Sequence, residues 1–415
     1  MMRELKFMLH DKAVWVWCLL ALTFSASAVV LGTIEVRQQH LEIAELQQLD
    51  QIERQVTLSK QSDWGSAAYY TFHLAFDPPS NFAYAALGQR DVSPWKHRIR
   101  MLALEGQIYE TDANNPDFAL IGRFDFVFVA SLIAPLLVVL LLFDLRSGEH
   151  VAGRLNLIEA SVGSTRKLWW QRSILRILAL TTALCLPVVI GGLVAGTAPS
   201  TLALCVFAVF LYLIFWMAIS LWLATANRTG SYNLTILLGV WLLFCVIVPA
   251  TLTQVIDKTV PMIDGGEIVL TQREAVNDAW DLPKHATYAA FLVQHPEWRE
   301  HTAWNDEDGF EWKWYYAFQQ VGDQKVESRS LAYRQGQARR DELANWLGLI
   351  SPATLLQRQL EALANTDVRS ALEFDQQVRN FHADLRAWYY PKLFQAEKFD
   401  TEKAMSTIPK FAPSK

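Results

Sequence analysis

Residues 124–160 read FDFVFVASLIAPLLVVLLLFDLRSGEHVAGRLNLIEA, and residues 164–172 follow with the basic patch STRKLWWQR. The first part, between Asp125 and Asp144, carries no charge and is long enough to cross roughly 30 Å of hydrocarbon at about 1.5 Å per residue. Asp125 and Asp144 stand at the two ends of that run, where both reach water, so they read as helix-end residues rather than an ion relay. A short amphipathic stretch with two glycines follows immediately, and its place directly after a span sets the question of what it touches.

The same uncharged pattern recurs. Runs at 14–34, 174–195, 201–225 and 233–255 join 125–144 to make five candidate spans. The composition agrees, with 52% hydrophobic residues, 16 Trp and 22 Phe in 415 residues. SASA at 25–28 offers a small-residue cleavage site, but apolar residues run on through VVLG with no polar region before it, so an uncleaved anchor is the better reading. Cys18, Cys185, Cys205 and Cys245 all fall inside these runs and behave as small hydrophobes rather than a disulfide framework. The net charge of −5 and the lack of a long Lys/Arg cluster exclude a nucleic-acid partner from the expectation.

Lys and Arg accumulate on cytoplasmic loops. The loop 145–172 carries Arg146, Arg154, Arg166, Lys167 and Arg172, whereas the turn GTAPS between the third and fourth runs carries no charge. The amino terminus, with Arg3, Lys6 and Lys12, and the TANRTG turn agree with an inside loop. The expected class is therefore an all-α integral membrane protein with about five spans, amino terminus in and carboxyl terminus out. Its expected divisions are 1–34 for the amino-terminal segment and first span, 35–122 for a first extracytoplasmic domain, 123–256 for the other spans, and 257–415 for a second extracytoplasmic domain.

Both outer segments read as mainly helical. Ile43, Leu46, Leu49, Ile52 and Val56 recur at three- and four-residue steps, which predicts one apolar helix face. Ser351 followed by Pro352 predicts a helix start, and LANWLGLISPATLL, interrupted by that proline, is too short to span and reads as soluble or interfacial. Pro135, Pro187 and Pro249 are kink candidates in spans two, three and five, or passive bends.

Chemistry of the chain's own is not indicated. No phosphate-cradling Gly-x-x-x-x-Gly-Lys run and no Gly-x-Ser-x-Gly elbow occurs, and His285, His295 and His301 lack the spacing that puts two metal ligands on one helix face. No metal, catalytic residue or cofactor is expected. WNDEDGFEWKWYY at 304–316 reads as a surface turn beside an aromatic packing or interface cluster, in preference to a cation or ligand site.

The stretch after the second span, read as one helix from Ser147, aligns Val151, Leu155 and Ile158 on a face one contact patch wide. Glu149 falls in the first turn, where the helix dipole favours a carboxylate by roughly 0.3–1 kcal/mol. Gly153 would cost about 1 kcal/mol relative to alanine in a helix interior, so it serves close approach of another backbone or a bend.

These residues resemble the coupling-helix region of the permease subunits of type-2 ABC exporters, in which a Gly-Glu-x-x-x-Gly-x-Leu pattern follows the second span. Gly148, Glu149, Gly153 and Leu155 match it, and the flanking FDFVFVASLIAPLLVVLLLFD and STRKLWWQR are similar to that family's second span and to the basic lead into its third. The resemblance covers about 1–255. More narrowly, the chain resembles a bacterial subgroup with large extracytoplasmic insertions of unknown function, through SPATLLQRQLEALANTD, FDQQVRNFHADLRAWYYP and IPKF. Members usually place a sixth span after an IPKF-like segment, and this sequence stops at IPKFAPSK, so it is either naturally five-spanning or truncated, and absence of the sixth span would make pairing with a second permease more attractive.

The resemblance implies an inner-membrane export permease whose partners are an ABC ATPase, a second permease chain and membrane lipids, with ATP-Mg bound by the ATPase alone. Gly148, Glu149, Val151, Gly153, Leu155 and Ile158 would then form the ATPase contact. The same stretch can instead lie on the lipid surface as a connector. The alternative function is a non-transporting sensor or scaffold whose outer domains bind a ligand or envelope partner.

Overall fold

The computed structural model describes residues 2–109, 124–161, 164–225, 228–303 and 309–413. Five helices are long and apolar enough to cross a membrane: α1 (Lys12–Ser59), α2 (Phe126–Val151), α3 (Thr165–Ala195), α4 (Pro199–Ala224) and α5 (Gly230–Thr259). The remaining long helices are α6 (Gly265–Asp278), α7 (Lys284–Gln294), α8 (Trp312–Gly348), α9 (Pro352–Ala364) and α10 (Val368–Phe394). Two short antiparallel strands, β1 (His73–Phe76) and β2 (Lys96–Ile99), pair with His73 opposite Ile99. The protein is thus a mainly helical membrane protein.

The three prolines that the sequence places inside spans are accommodated by capping of nearby carbonyls. A proline lacks the amide hydrogen that would bond back and its ring clashes with the carbonyl four residues earlier. Before Pro135 the helix widens into a π turn, Val129–Ile133, and before Pro249 into another, Leu243–Ile247. The Ser131 carbonyl, four residues before Pro135, accepts from the Tyr212 hydroxyl at 2.7 Å, and the Leu132 carbonyl accepts from Trp241 Nε1 at 3.0 Å. Near Pro187, the Leu184 carbonyl accepts from Ser25 Oγ at 2.6 Å, and near Pro249 the Phe244 carbonyl accepts from Ser351 Oγ at 3.2 Å. In hydrocarbon an unpaired carbonyl costs several kcal/mol, and at Pro135 the Tyr212 hydroxyl gives the Ser131 carbonyl the donor that the proline lacks.

Helix α1 does not stop at the bilayer boundary. Capped by Asp11, it continues for 48 residues, about 72 Å at 1.5 Å per residue, and carries the sequence's outer helix as an uninterrupted extension. The predicted face is only partly inward. Ile43 is buried against Leu74 and Phe76, but Leu49, Ile52 and Val56 are exposed, and the inward positions beyond Ile43 hold the Asp50–Arg54 ion pair and Leu58. Hydrophobicity marks both faces of this helix, and the rest of the chain covers the neighbouring one.

One apolar core serves residues from both outer segments. Leu58, Trp64, Ala67 and Ile99 pack with Tyr288, Phe318, Phe381 and Tyr389. Two pieces belong elsewhere: Phe82–Ala86, and Leu356, Leu360 and Ala364 of α9, join the core of the spans. Gly32 allows this, because a Cβ there would sit 1.9 Å from the Tyr84 carbonyl oxygen. The Tyr84 hydroxyl reaches the Val188 carbonyl at 2.6 Å, and Thr366 Oγ1 after α9 donates to the Ala86 carbonyl at 3.0 Å. The segment read as soluble or interfacial thus leads into a helix, α9, that is seated on the spans.

Candidate functional site

The stretch from Phe143 to Arg172 is built on the ends of three spans. At the end of α2, Ser147 Oγ donates to Asp144 Oδ1 at 2.8 Å. Gly148 and Gly230 flank that carboxylate so closely that a Cβ on either would lie 2.8 or 2.6 Å from its oxygens. Asn233 Nδ2 donates to the Phe143 carbonyl at 3.3 Å, so the start of α5 is fastened to the end of α2. Gly148 therefore has a packing reason independent of any partner.

The expected single helix is instead an elbow. Ser147–Val151 and Leu155–Ser161 are separate short helices, broken at Gly153 with φ of +70°, a conformation that costs an L residue roughly 1–2 kcal/mol. Among the described residues no atom lies within 4 Å of a Cβ built on Gly153, so within this chain the glycine serves the bend. Val151, Leu155 and Ile158 consequently do not form one face. Leu155 is buried at 5% exposure and Ile158 half-buried, while Val151 at 77% and Leu157 at 75% project from the elbow.

Charges set its base. Glu149 accepts from Arg154 Nε at 2.8 Å and lies 3.7 Å from Arg172 Nη1. Arg172 also donates through Nε to Glu4 at 2.7 Å, its guanidinium resting over the Phe7 and Trp169 rings. One turn later Arg176 donates to Asp11 at 2.7 Å and to the Leu141 carbonyl at 2.8 Å. The amino-terminal helix Met2–Leu9 is thereby clamped to the start of α3 and to the elbow. The sequence marks Arg172 only as a loop charge and Asp144 only as a helix-end residue, and it does not single out Glu4, Asp11, Gly230 or Asn233. Acids at 4 and 11 facing arginines at 172 and 176, one helical turn apart, were the available signal.

A second polar region lies in the body built from 35–122 and 257–415, a cavity of about 580 Å³. Its walls hold the Arg379–Glu105 pair at 2.9 Å and the Arg386–Asp323 pair. Burial pushes the Asp323 carboxyl above its ordinary value against the pull of Arg386, and burial holds His382 well below the usual histidine range. Among the described residues no three His, Cys, Asp or Glu side chains gather as a metal site. Asp306 and Asp308 lie outside the described residues, whereas Trp312 and Trp314 join Trp280, Phe310, Tyr315 and Phe318 in an aromatic cluster. Trp314 is buried, and Gly65 makes room for the Trp312 ring, which a Cβ would meet at 1.9 Å.

Residues 266–414 match a family model described as a domain of unknown function, DUF3526. Comparison with curated proteins and with solved structures finds no match to this chain.

Proposed function

We propose that the chain is the membrane-spanning permease subunit of an ATP-driven ABC exporter. A separate ATPase would seat on the elbow at 147–161 and a second permease chain would complete the translocation path. The observation that supports this best is the exposed apolar tip, Val151 and Leu157, on a charge-clamped base, in the loop where the family resemblance puts the coupling helix. An exposed apolar pair gains little in water and gains more when a partner groove covers it. In this reading the amino terminus and loop 145–172 face the cytoplasm of a bacterial cell, and the body built from 35–122 and 257–415 lies outside the inner membrane. ATP-Mg binds the ATPase, and this chain converts ATPase closure into movement of α2 and α3 through the Asp144 and Arg172 contacts.

Val151→Asp and Leu157→Asp should leave the chain inserted and folded but abolish co-purification with a co-expressed ABC ATPase from the same genome. Full association in both variants would sink the docking assignment and leave the sensor or scaffold reading, which the cavity of about 580 Å³ in the outer body favours. Topology has its own test. The four native cysteines are buried, so a cysteine at exposed Ser406 should react with a membrane-impermeant thiol reagent in intact spheroplasts, and one at Ser164 only after lysis. The reverse pattern would overturn the orientation.

A further inference from the structure

A larger cavity, about 890 Å³, opens where α5 leaves the apolar layer. Thr253 and Ile256 of α5 and Met262 form one side. Tyr109, Tyr333 and Gln337 form another, and Arg340, Asp341, Arg358, Asp264 and Asp375 bring two guanidiniums and three carboxylates to the same space. Aromatic and charged side chains beside the end of a span mark the level of lipid headgroups. The Tyr109 and Tyr333 rings meet edge to face at 5.2 Å, a rigid wall rather than a mobile flap.

The cavity continues a lipid-facing surface. Helix α5 is the least enclosed of the five spans. Leu238, Leu242 and Val246 are exposed on it at four-residue steps, leading towards Thr253 and Ile256 at the cavity mouth. A molecule filling both would be apolar along α5 and polar at the cavity.

The charges narrow the headgroup. Arg340 is anchored to Asp257 and to the Val260 carbonyl at 3.1 Å, and Arg358 to Asp341 and to Asn345 Oδ1 at 2.8 Å, so both cations are held in place to meet a phosphate. Asp341 is taken by Arg358 and, at 3.4 Å, by Arg369, so Asp264 and Asp375 are the lining carboxylates left to meet a cation, which favours a headgroup that carries one beside its phosphate. Burial, with the Glu105 charge, raises the Asp375 carboxyl to about 6 against the pull of Arg379 and Arg334, and a further ammonium would relieve the remaining cost. A primary ammonium donates three hydrogen bonds, and the carboxylates of Asp264 and Asp375 supply acceptors.

We propose that this cavity binds the headgroup of a zwitterionic phospholipid with a primary amine, its acyl chains lying along the exposed face of α5. The proposal rests on α5 spanning a bilayer and not on the transport reading. Its assay contains no ATPase, so failure here leaves the proposed function standing.

The test uses the full chain, purified in non-ionic detergent and stripped of lipid, titrated with dioleoyl phospholipids bearing ethanolamine, choline or glycerol headgroups. Native mass spectrometry counts the lipids retained. The first ethanolamine lipid should be held about tenfold more tightly than either of the others, a difference of about 1.4 kcal/mol. Soluble glycerophosphoethanolamine should bind at least about tenfold more weakly than the lipid. Gln337→Trp, which obstructs the cavity beside Tyr333, should abolish the preference. Asp375→Asn, which keeps the shape and removes a charge, should reduce it without lowering the melting temperature, and it carries the test if the tryptophan variant does not fold. Equal retention of the three lipids, a soluble headgroup as tight as the lipid, or a preference surviving Asp375→Asn would each overturn the proposal.

Discussion

Spans α2 and α5 each carry a π turn followed two residues later by a proline, at Val129–Ile133 before Pro135 and at Leu243–Ile247 before Pro249. Their surroundings are opposite. Helix α2 is the most enclosed of the five spans, and the carbonyls near its proline are taken by Tyr212 and Trp241 from two neighbouring spans. Helix α5 is the least enclosed, and near its proline the Phe244 carbonyl is taken by Ser351, at the start of a helix that comes from the outer segment. The same local irregularity is locked inside the bundle in one case. In the other it ties an exposed span to α9, a helix of the carboxyl-terminal segment.

The largest expected difference concerns packing. Leu142 of α2 is 2% exposed, so Leu142→Ala should destabilise the chain by about 2–5 kcal/mol, read as a lower melting temperature in detergent. Leu242 of α5 is 46% exposed, and Leu242→Ala should change stability by less than about 0.5 kcal/mol. Equal losses would mean that α5 is covered after all and would break the comparison.

A smaller effect separates the two capping contacts. Tyr212→Phe leaves the buried Ser131 carbonyl without its hydroxyl donor and should cost about 1–3 kcal/mol. Ser351→Ala removes both the Phe244 contact and the cap that accepts from the Thr354 amide, and should cost about 0.5–2 kcal/mol. If α5 is the tie to the outer body, Ser351→Ala should also raise hydrogen exchange in α9 while Tyr212→Phe leaves α9 unchanged. Identical exchange in both variants would remove the distinction.

The last effect lies away from both spans, in the body built from 35–122 and 257–415. Burial, helped by the nearby Arg54 charge, lowers His73 from 6.5 to about 3. A folded-state value depressed in this way means that the unfolded chain binds the proton first. The stability it supports is therefore present above about 6.5 and lost as pH falls towards 3. His73→Phe, in a pocket already walled by Phe381 and Tyr389, should make the decline of stability between pH 6.5 and 4 shallower than in the parent chain. An unchanged slope would show that His73 does not titrate on unfolding.

By itself the sequence determined the helical class and the five apolar spans, because an uncharged run of about twenty residues has few other ways to satisfy its backbone and side chains at once. It also placed an amphipathic stretch with Glu149 and Gly153 after the second span, since local spacing and glycine chemistry are legible in a few residues. Tertiary structure alone decided which faces are covered. Leu49, Ile52 and Val56 are as apolar as Ile43 yet stay exposed, because burial depends on what packs against a helix and not on its own periodicity. The elbow at Gly153 replaced a continuous helix, since a left-handed residue is a choice the backbone makes in context. The meetings of Arg172 with Glu4, of Gly230 with Asp144 and of Ser351 with Phe244 join residues more than eighty positions apart. No local pattern encodes such distances; they are set when the spans and the outer helices pack together.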